Sequence, residues 1–543
     1  MQALSHYRFG KGGNDEGVLT SPETMCKLAV EATSNNNVNV SSPTPVQAEG
    51  QSVASSKNLD DAYDLYRRQD AVDHDPNESR QVLRKIDWNI LPLLMGTYLL
   101  QYLDKSSVNF ASVFGLRQGT NLHGQDYSWS LSIFYFGYLV AQWPAGYLLQ
   151  RFPVGKFIGI SILVWGMLTI VTPACKNFAG LAVNRFLLGC FEAVINPGFV
   201  LVVSMWWQQG EQPMRLTTYY SMNGIAGICG GLLGYAIGHV TAGLPPWMYI
   251  FLVFGSISLA WGTIFLIFMP DLPSTARFLD EKQRIIAVER VAKNRQGIKN
   301  HHFKTYQMWQ CLLDPKTWIL FVMAIAAQIP NAAQSSFTSI ILGTFGFDVL
   351  QTQYLQIPGN LVQFFSLLLS GWISSRFPNR RCAVMLVGNL ICVGCGAALV
   401  GLPVGPDGTY NRWGRLVALW LCSFQSVGFS LSLTMVSSNV AGYTKKQLTG
   451  AFLFVGYCVG NIIGPQTFIE AEAPFYTSAY VAILVGYSVK TAMVVVLYLY
   501  MWIANKKRDR EAALEDPEQE EQAIEQGMQD ATEIDNKGFR YVL

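Results

Sequence analysis

The chain has 543 residues, half of them hydrophobic and only 14% charged, with a formal net charge of +2. Its mean hydropathy of +0.23 is ordinary for a polytopic membrane protein and unusual for a soluble domain. No basic tract suggests nucleic acid, and the ten cysteines are scattered, mostly inside apolar runs, which argues against a disulfide framework.

Residues 1–86 read as a disordered cytoplasmic tail, polar and poor in aromatics, with a Ser/Asn/Pro-rich patch from Ser34 to Pro45. No charged n-region followed by an apolar stretch opens the chain, so no cleavable signal peptide is expected. The first long apolar stretch runs from Trp88 to Phe110, enough for a bilayer crossing of about 20 residues. Near its far end Asp104 and Lys105 stand side by side. A charge in a membrane helix costs about 2.5–3.5 kcal/mol even on a lenient scale. The pair is therefore either snorkelling at the membrane edge or part of a charge-binding site.

Further apolar spans follow near 128–149, 157–174, 179–206, 216–240 and 246–269, and a second set near 317–342, 352–375, 383–402, 414–440, 447–469 and 477–504. The expected fold is all-α and polytopic, with 12 transmembrane helices in two pseudo-symmetric six-helix bundles, 87–270 and 317–505. Between them, 271–316 reads as a cytoplasmic linker containing an amphipathic helix, with Ile285, Val288, Val291 and Ala292 along one face. Residues 506–543 form a cytoplasmic C-terminal tail, acidic from Glu511 to Asp535 and expected as a solvated helix or disorder. Arg151, Lys156, Arg215, Arg376, Arg381, Lys445 and Lys506 fall in alternate loops, which places both tails in the cytoplasm by the positive-inside rule. The glycosylation triplets at Asn39 and Asn77 then lie on the silent side.

The two sets repeat each other. The stretch from Gly146 to Lys156 matches that from Gly371 to Arg381, and Ala226/Gly230/Gly234 match Gly456/Gly460/Gly464. Parallel halves around a midplane site describe one class of secondary transporter. The intramembrane ionisable residues are Asp104, Lys105, Arg185, Glu192 and Lys490, functional candidates by default. Arg185 and Glu192, seven apart, share a helix face about 10.5 Å apart along the axis. That is too far for a direct pair, and Asp104 is the economical partner for Arg185. Lys105 is then left for an anion and Glu192 as a carboxyl able to titrate. Against this stands a purely structural role for Arg185 and Glu192 in locking helices together. The fifth-helix glycines are expected to permit close helix contact, and Cys392 and Cys395 to be packing residues. No Walker motif, nucleophile elbow or metal cluster is found, so neither an enzyme nor a metal or other cofactor is expected.

These residues resemble the major facilitator superfamily, whose loop between the second and third helices the Gly-x4-Arg-Phe-Pro repeats echo. Gln150 and Ser375 stand where an Asp is usual. Within it the chain resembles the anion:cation symporter family, and its fungal allantoate permease branch. Asp104-Lys105, Arg185 to Glu192, Asn196-Pro-Gly198, Gly456 to Gln466 with Asn461 and Pro465, and the tail around Phe539-Arg-Tyr541 carry the likeness. The resemblance implies proton-coupled import of a small organic anion such as allantoate, a ureido acid or a pyridine carboxylate. It implies Asp104, Glu192 and Arg185 as the proton-coupling set, and Lys105, Tyr102, Tyr138, Gln142 and Asn461 as substrate contacts. Arg151, Lys156, Arg376 and Arg381 would serve the gating loops. Relatives in the family usually carry Arg at position 105, and Lys lacks the planar fork that grips a carboxylate bidentately. The expected partners are the anion, protons and the lipid bilayer, with the chain a plasma-membrane monomer. A non-transporting nutrient sensor and an exporter of a secondary metabolite are the alternatives.

Overall fold

The computed structural model describes residues 76–208, 211–240, 243–292, 304–403, 410–512, 531–536 and 538–543. Among these, helix is the regular secondary structure throughout. The first half holds α1 (Pro76–Ser112), α2 (Asp126–Arg151), α3 (Val154–Val171), α4 (Phe178–Glu192, resumed as Ile195–Trp206), α5 (Gln212–Gly238) and α6 (Pro246–Phe268). The second holds α7 (Pro315–Ala332, continued through a π-turn to Thr344), α8 (Ile357–Arg376) and α9 (Arg381–Gly401). It closes with α10 (Arg412–Leu421 and Gln425–Asn439), α11 (Tyr443–Gln466) and α12 (Thr477–Ala512).

Packing follows the repeat. α1 lies on α5 and α6 as α7 lies on α11 and α12; α3 pairs with α6 as α9 does with α12. The halves meet where α5 packs on α8 and α2 on α11. Small residues make both kinds of contact possible. Gly224 and Gly227 face Asn360 of α8, and Gly231 and Gly234 face Gln353 in the short helix Val349–Tyr354 just before it. A methyl at Gly231 would stand 2.6 Å from the Gln353 carbonyl oxygen, and one at Gly224 2.6 Å from that of Asn360. Gly460 meets the Ile325 carbonyl of α7 in the same way, at 2.5 Å.

By length and composition, seven helices among the described residues could cross a membrane, or eight if the bent pair Thr305–Leu313 and Pro315–Thr344 is one span. α3, α6, α9 and α12 are among them and present apolar side chains such as Ile160, Ile267, Val387 and Val485 outward. The less apolar spans α1, α2, α5, α7 and α8 all give polar or aromatic side chains to a central cavity. Twelve spans are therefore less evident from hydropathy than from packing, because the inner helices spend residues on the cavity rather than on lipid.

Three expectations change. The first helix begins at Pro76, so the stretch 76–86 is not disordered tail: Val82, Ile86, Ile90 and Leu94, a turn apart, are buried with Ile158 and Phe199. Residues 1–75 lie outside the described residues. The linker helix, Glu281–Ala292, buries Ile286, Ala287 and Arg290, a face rotated from the one expected. It docks on protein: Arg290 pairs with Glu211 at 2.6 Å and Lys282 with Glu78 at 2.7 Å. The third change is at the C-terminal tail, where the expected solvated or disordered stretch is deeply docked from 531 onward.

There Glu533 is fully buried between Lys316 and Lys445, at 2.6 and 2.5 Å, and Asp314 completes the cluster 2.8 Å from Lys445. Asn439 exchanges two hydrogen bonds with Val542, and Asn505 two with Tyr541. The backbone N–H of Arg381 donates to the Leu543 carbonyl at 3.0 Å. Two cations and two carboxylates, none able to reach water, thus knit the starts of α7 and α11 to residues 531–543. Burial alone would push the Asp314 carboxyl up, but Lys316 and Lys445 beside it outweigh that and hold it below the usual carboxylate range.

Glu533→Gln leaves two buried lysines with one carboxylate, and breaking such a pair costs about 3–5 kcal/mol. The melting midpoint of the purified variant in detergent should fall accordingly; an unchanged midpoint would contradict the cluster. In the wild type, a depressed Asp314 value means stability present above the unfolded Asp range and lost as pH falls through the folded one. The midpoint should therefore drop below about pH 4.

Candidate functional site

α1 carries Asp104 and Lys105 on different sides, and the two side chains meet different surroundings. Asp104, 1% exposed, faces its own half. Its Oδ2 accepts from Trp165 Nε1 of α3 and Ser258 Oγ of α6, both at 2.6 Å. Its Oδ1 is buried with no hydrogen-bond partner. One oxygen is thus saturated and the other is open to a proton.

The expected Asp104–Arg185 ion pair is not formed. Arg185 is buried on α4 with its guanidinium 5.6 Å from the Phe251 ring centroid, and its Nε has no partner. An aromatic face and two neutral donors do what a mutual pair was expected to do. The shared face is present, however: Arg185 and Glu192 both lie on the buried side of α4.

Lys105 turns to the cavity between the halves. Its ammonium donates to the Tyr457 hydroxyl of α11 at 2.8 Å and stands 4.7 Å from the Tyr135 ring centroid, 5.4 Å from that of Tyr457 and 5.8 Å from that of Phe134. Glu192, the last residue of the first segment of α4, reaches the same cavity from the other side. Its Oε1 is buried without a hydrogen-bond partner. The helix resumes at Ile195, and Asn196 just beyond the break donates to Tyr138 at 2.7 Å and accepts from Tyr98 at 3.2 Å. The cavity has a volume of about 90 Å³, room for on the order of six waters.

Tyr102 and Tyr138 line this cavity as expected. Gln142 does not: four residues past Tyr138, it sits about 6 Å further along α2, and its Oε1 is buried with no partner. Asn461 is also absent from the wall. It stands behind it, accepting from Asn331 and donating to Gln328, both at 3.1 Å. These two, with Gln363 and Gln425, form the amide-rich wall that the second half contributes. Sequence reasoning missed all four. The available signal was their position in spans otherwise apolar; Pro330 and the π-turn after Ala332 further mark α7 as irregular there.

Of the loop cations, Lys156 meets Asp271 at 4.0 Å and Arg381 donates to Ser438 at 2.6 Å. Arg151 and Arg376 instead stack on the nearby Tyr147 and Phe377 rings. At the opposite end of the bundle, hydrogen bonds join the halves. Tyr127 donates to the Ser336 carbonyl at 2.8 Å, Asn109 bonds Gln356 at 3.1 Å, and Ser132 bonds Ile462 and Gln466 at 2.9 Å. That end is sealed.

The family model described as Major Facilitator Superfamily matches residues 94–465. An uncharacterized transporter of Schizosaccharomyces pombe is 37% identical, covering 86% of this chain and 87% of its own. The allantoate permease of Saccharomyces cerevisiae is 32% identical, covering 92% and 93%, and the thiamine pathway transporter of the same yeast 33% identical, covering 86% of each. Among solved structures, a bacterial homologue of the human lysosomal transporter Spinster, inward-facing and occupied, has a TM-score of 0.53 at 15% identity, covering 77% of this chain and 96% of its own. The Escherichia coli fucose:proton symporter has a TM-score of 0.52 at 14% identity, covering 75% and 99%. These two similarities concern the fold.

The revised cavity wall makes a contrast that mutagenesis can read. Gln328→Ala should raise the half-saturation concentration for the transported solute about fivefold or more, the worth of one hydrogen bond. Gln142→Leu should leave it within twofold, since the amide it removes is buried and unsatisfied. Equal effects of the two in a transport assay would contradict this assignment.

Proposed function

This chain belongs to the major facilitator superfamily and is a multi-pass secondary transporter, and on that premise we propose that it is a proton-coupled symporter importing a small organic anion. The observation that carries the reading is a single one: Lys105 and Glu192 face the same cavity without forming an ion pair. A salt-bridged couple would be a structural lock. Two separated opposite charges offer a contact for an anion and a carrier for a proton.

In this mechanism the substrate carboxylate takes the Lys105 ammonium, displacing the Tyr457 hydroxyl that now holds it. The ammonium is a point charge already backed by three aromatic rings, so the anion gains a charged hydrogen bond without bidentate constraint. The amide wall then reads the uncharged part of the molecule. Glu192 picks up the proton on the outer side and gives it up inside. Asp104 is the second proton-coupled carboxyl, held by Trp165 and Ser258, with its Oδ1 open. Coupling requires that proton and anion each favour the other's binding in one state of the transporter.

The loops bearing Arg151 and Arg376 face the cytoplasm by the positive-inside rule. The end where hydrogen bonds tie the halves is then extracellular, which supports a state closed to the outside. Similarity to the allantoate permease supports a small, nitrogen-rich carboxylate as the solute; the plasma membrane and a monomeric state complete the proposal.

Reconstituted into vesicles, the protein should accumulate radiolabelled allantoate or a related anion when protons are driven inward, and not when the gradient is collapsed. Glu192→Gln should abolish gradient-driven accumulation while preserving anion counterflow. Lys105→Met should lose both. Gradient-driven uptake that survives Glu192→Gln would remove that residue from the coupling role.

A further inference from the structure

Lys490 is an intramembrane cation that takes no part in the mechanism above. Lys490 of α12 is fully buried, and among the described residues no carboxylate lies within ion-pair distance of it. Its ammonium donates to the backbone carbonyl of Gln425 at 2.8 Å. One turn earlier on the same face, the Tyr487 hydroxyl donates to the side-chain Oε1 of Gln425 at 3.2 Å. α12 thus grips one residue of α10 twice, by its backbone and by its side chain.

That residue occupies a sensitive place. Gln425 begins the second segment of α10, immediately after a 3₁₀ turn, Cys422–Phe424. Its Nε2 donates to Gln334 at 2.7 Å, and Gln425 lines the cavity beside Asn331 and Ser426. α12 itself gives the cavity wall no side chain. The approach also depends on Gly428: a methyl there would stand 2.6 Å from Lys490 Cε, 2.7 Å from its Nζ and 2.8 Å from Asn389 Oδ1. The facing groups are otherwise neutral. Asn389 has both side-chain polar atoms buried and unpartnered, and Cys392 stands beside the ammonium.

Burying an ammonium with one carbonyl for company is costly. A Met of similar length would fill the same space without that cost, so packing alone does not account for a lysine. We propose that Lys490, with Tyr487, is a positioning residue for substrate recognition, fixing from behind the wall where Gln425 stands in the cavity. The proposal rests on the anion-transport reading and adds to it a specificity contact in the second half.

The test combines Lys490→Met, Gly428→Ala and Gln425→Ala with the Lys490→Met/Gln425→Ala double variant. Initial uptake of radiolabelled allantoate is measured in proteoliposomes under an inward proton gradient. Each single variant should raise KM about fivefold, the size of one neutral hydrogen bond, with the maximal rate per folded protein within twofold. In the Lys490→Met background, Gln425→Ala should add nothing further. Additive effects, or an unchanged KM with only a lowered melting midpoint, would overturn the positioning role and leave Lys490 as helix glue. Should Lys490→Met not fold, Gly428→Ala displaces the same ammonium without removing a charge and carries the same reading.

Failure of wild-type uptake counts against the substrate reading, and hydrogen–deuterium exchange of residues 422–430 in the empty protein then decides on Lys490. Faster exchange in both Lys490→Met and Gly428→Ala upholds the pinning of Gln425. Unchanged exchange in both overturns it.

Discussion

Burying a charge inside a membrane bundle costs several kcal/mol, and no helix here meets that cost with its own residues. Asp104 of α1 is satisfied by Trp165 of α3 and Ser258 of α6. Lys105, its immediate neighbour, is satisfied by Tyr457 of α11 and by aromatic rings of α2. Lys490 of α12 depends on α10. Each of these three groups is therefore a tie between elements. Between Asp104 and Lys105 the peptide changes allegiance: one side chain belongs to the first half and the other bridges to the second.

The two halves share a backbone plan and divide the chemistry. The charged side chains that line the cavity, Lys105 and Glu192, both come from the first half, while the second contributes the amides Gln328, Asn331, Gln363 and Gln425. A charge holds its ligand through distance and tolerates displacement; an amide demands direction. In the alternating access proposed above, rocking one half against the other would move a directional surface past an electrostatic one. The glycines of α5 bring α8 close, with Asn360 and Phe364 seated against them.

Much of this was legible in the sequence. The α5 glycines repeat every three or four residues, the spacing of a helix contact, and they lie against α8, the short helix before it and α1. Lys105 and Glu192 stand out because charge is rare in apolar spans, and both reach the cavity. The pairing of Asp104 with Arg185 was not legible, because its true partners, a Trp and a Ser, are unremarkable in any membrane helix. The amide wall escaped for a similar reason: uncharged side chains do not disturb hydropathy enough to be noticed. Gln142 was over-read, since residues four apart on a helix share a face but not a depth. The docked segment 531–543 was hidden by its acidic setting. Phe539 and Tyr541, aromatic residues in a polar run, were the sign that it has something to pack against.

The buried cluster around Glu533 has a consequence for how the chain is made. Lys316 stands at the start of α7 and Lys445 at the start of α11, and the carboxylate they share comes from beyond α12. During synthesis both lysines are in place well before their counter-charge leaves the ribosome. Until it does, the second half carries two cations for the single carboxylate of Asp314 at a surface that is later sealed. A chain halted after the last membrane helix has every span and still lacks the carboxylate that its two buried lysines share. Such an intermediate carries its incompleteness as an excess of positive charge at the starts of α7 and α11.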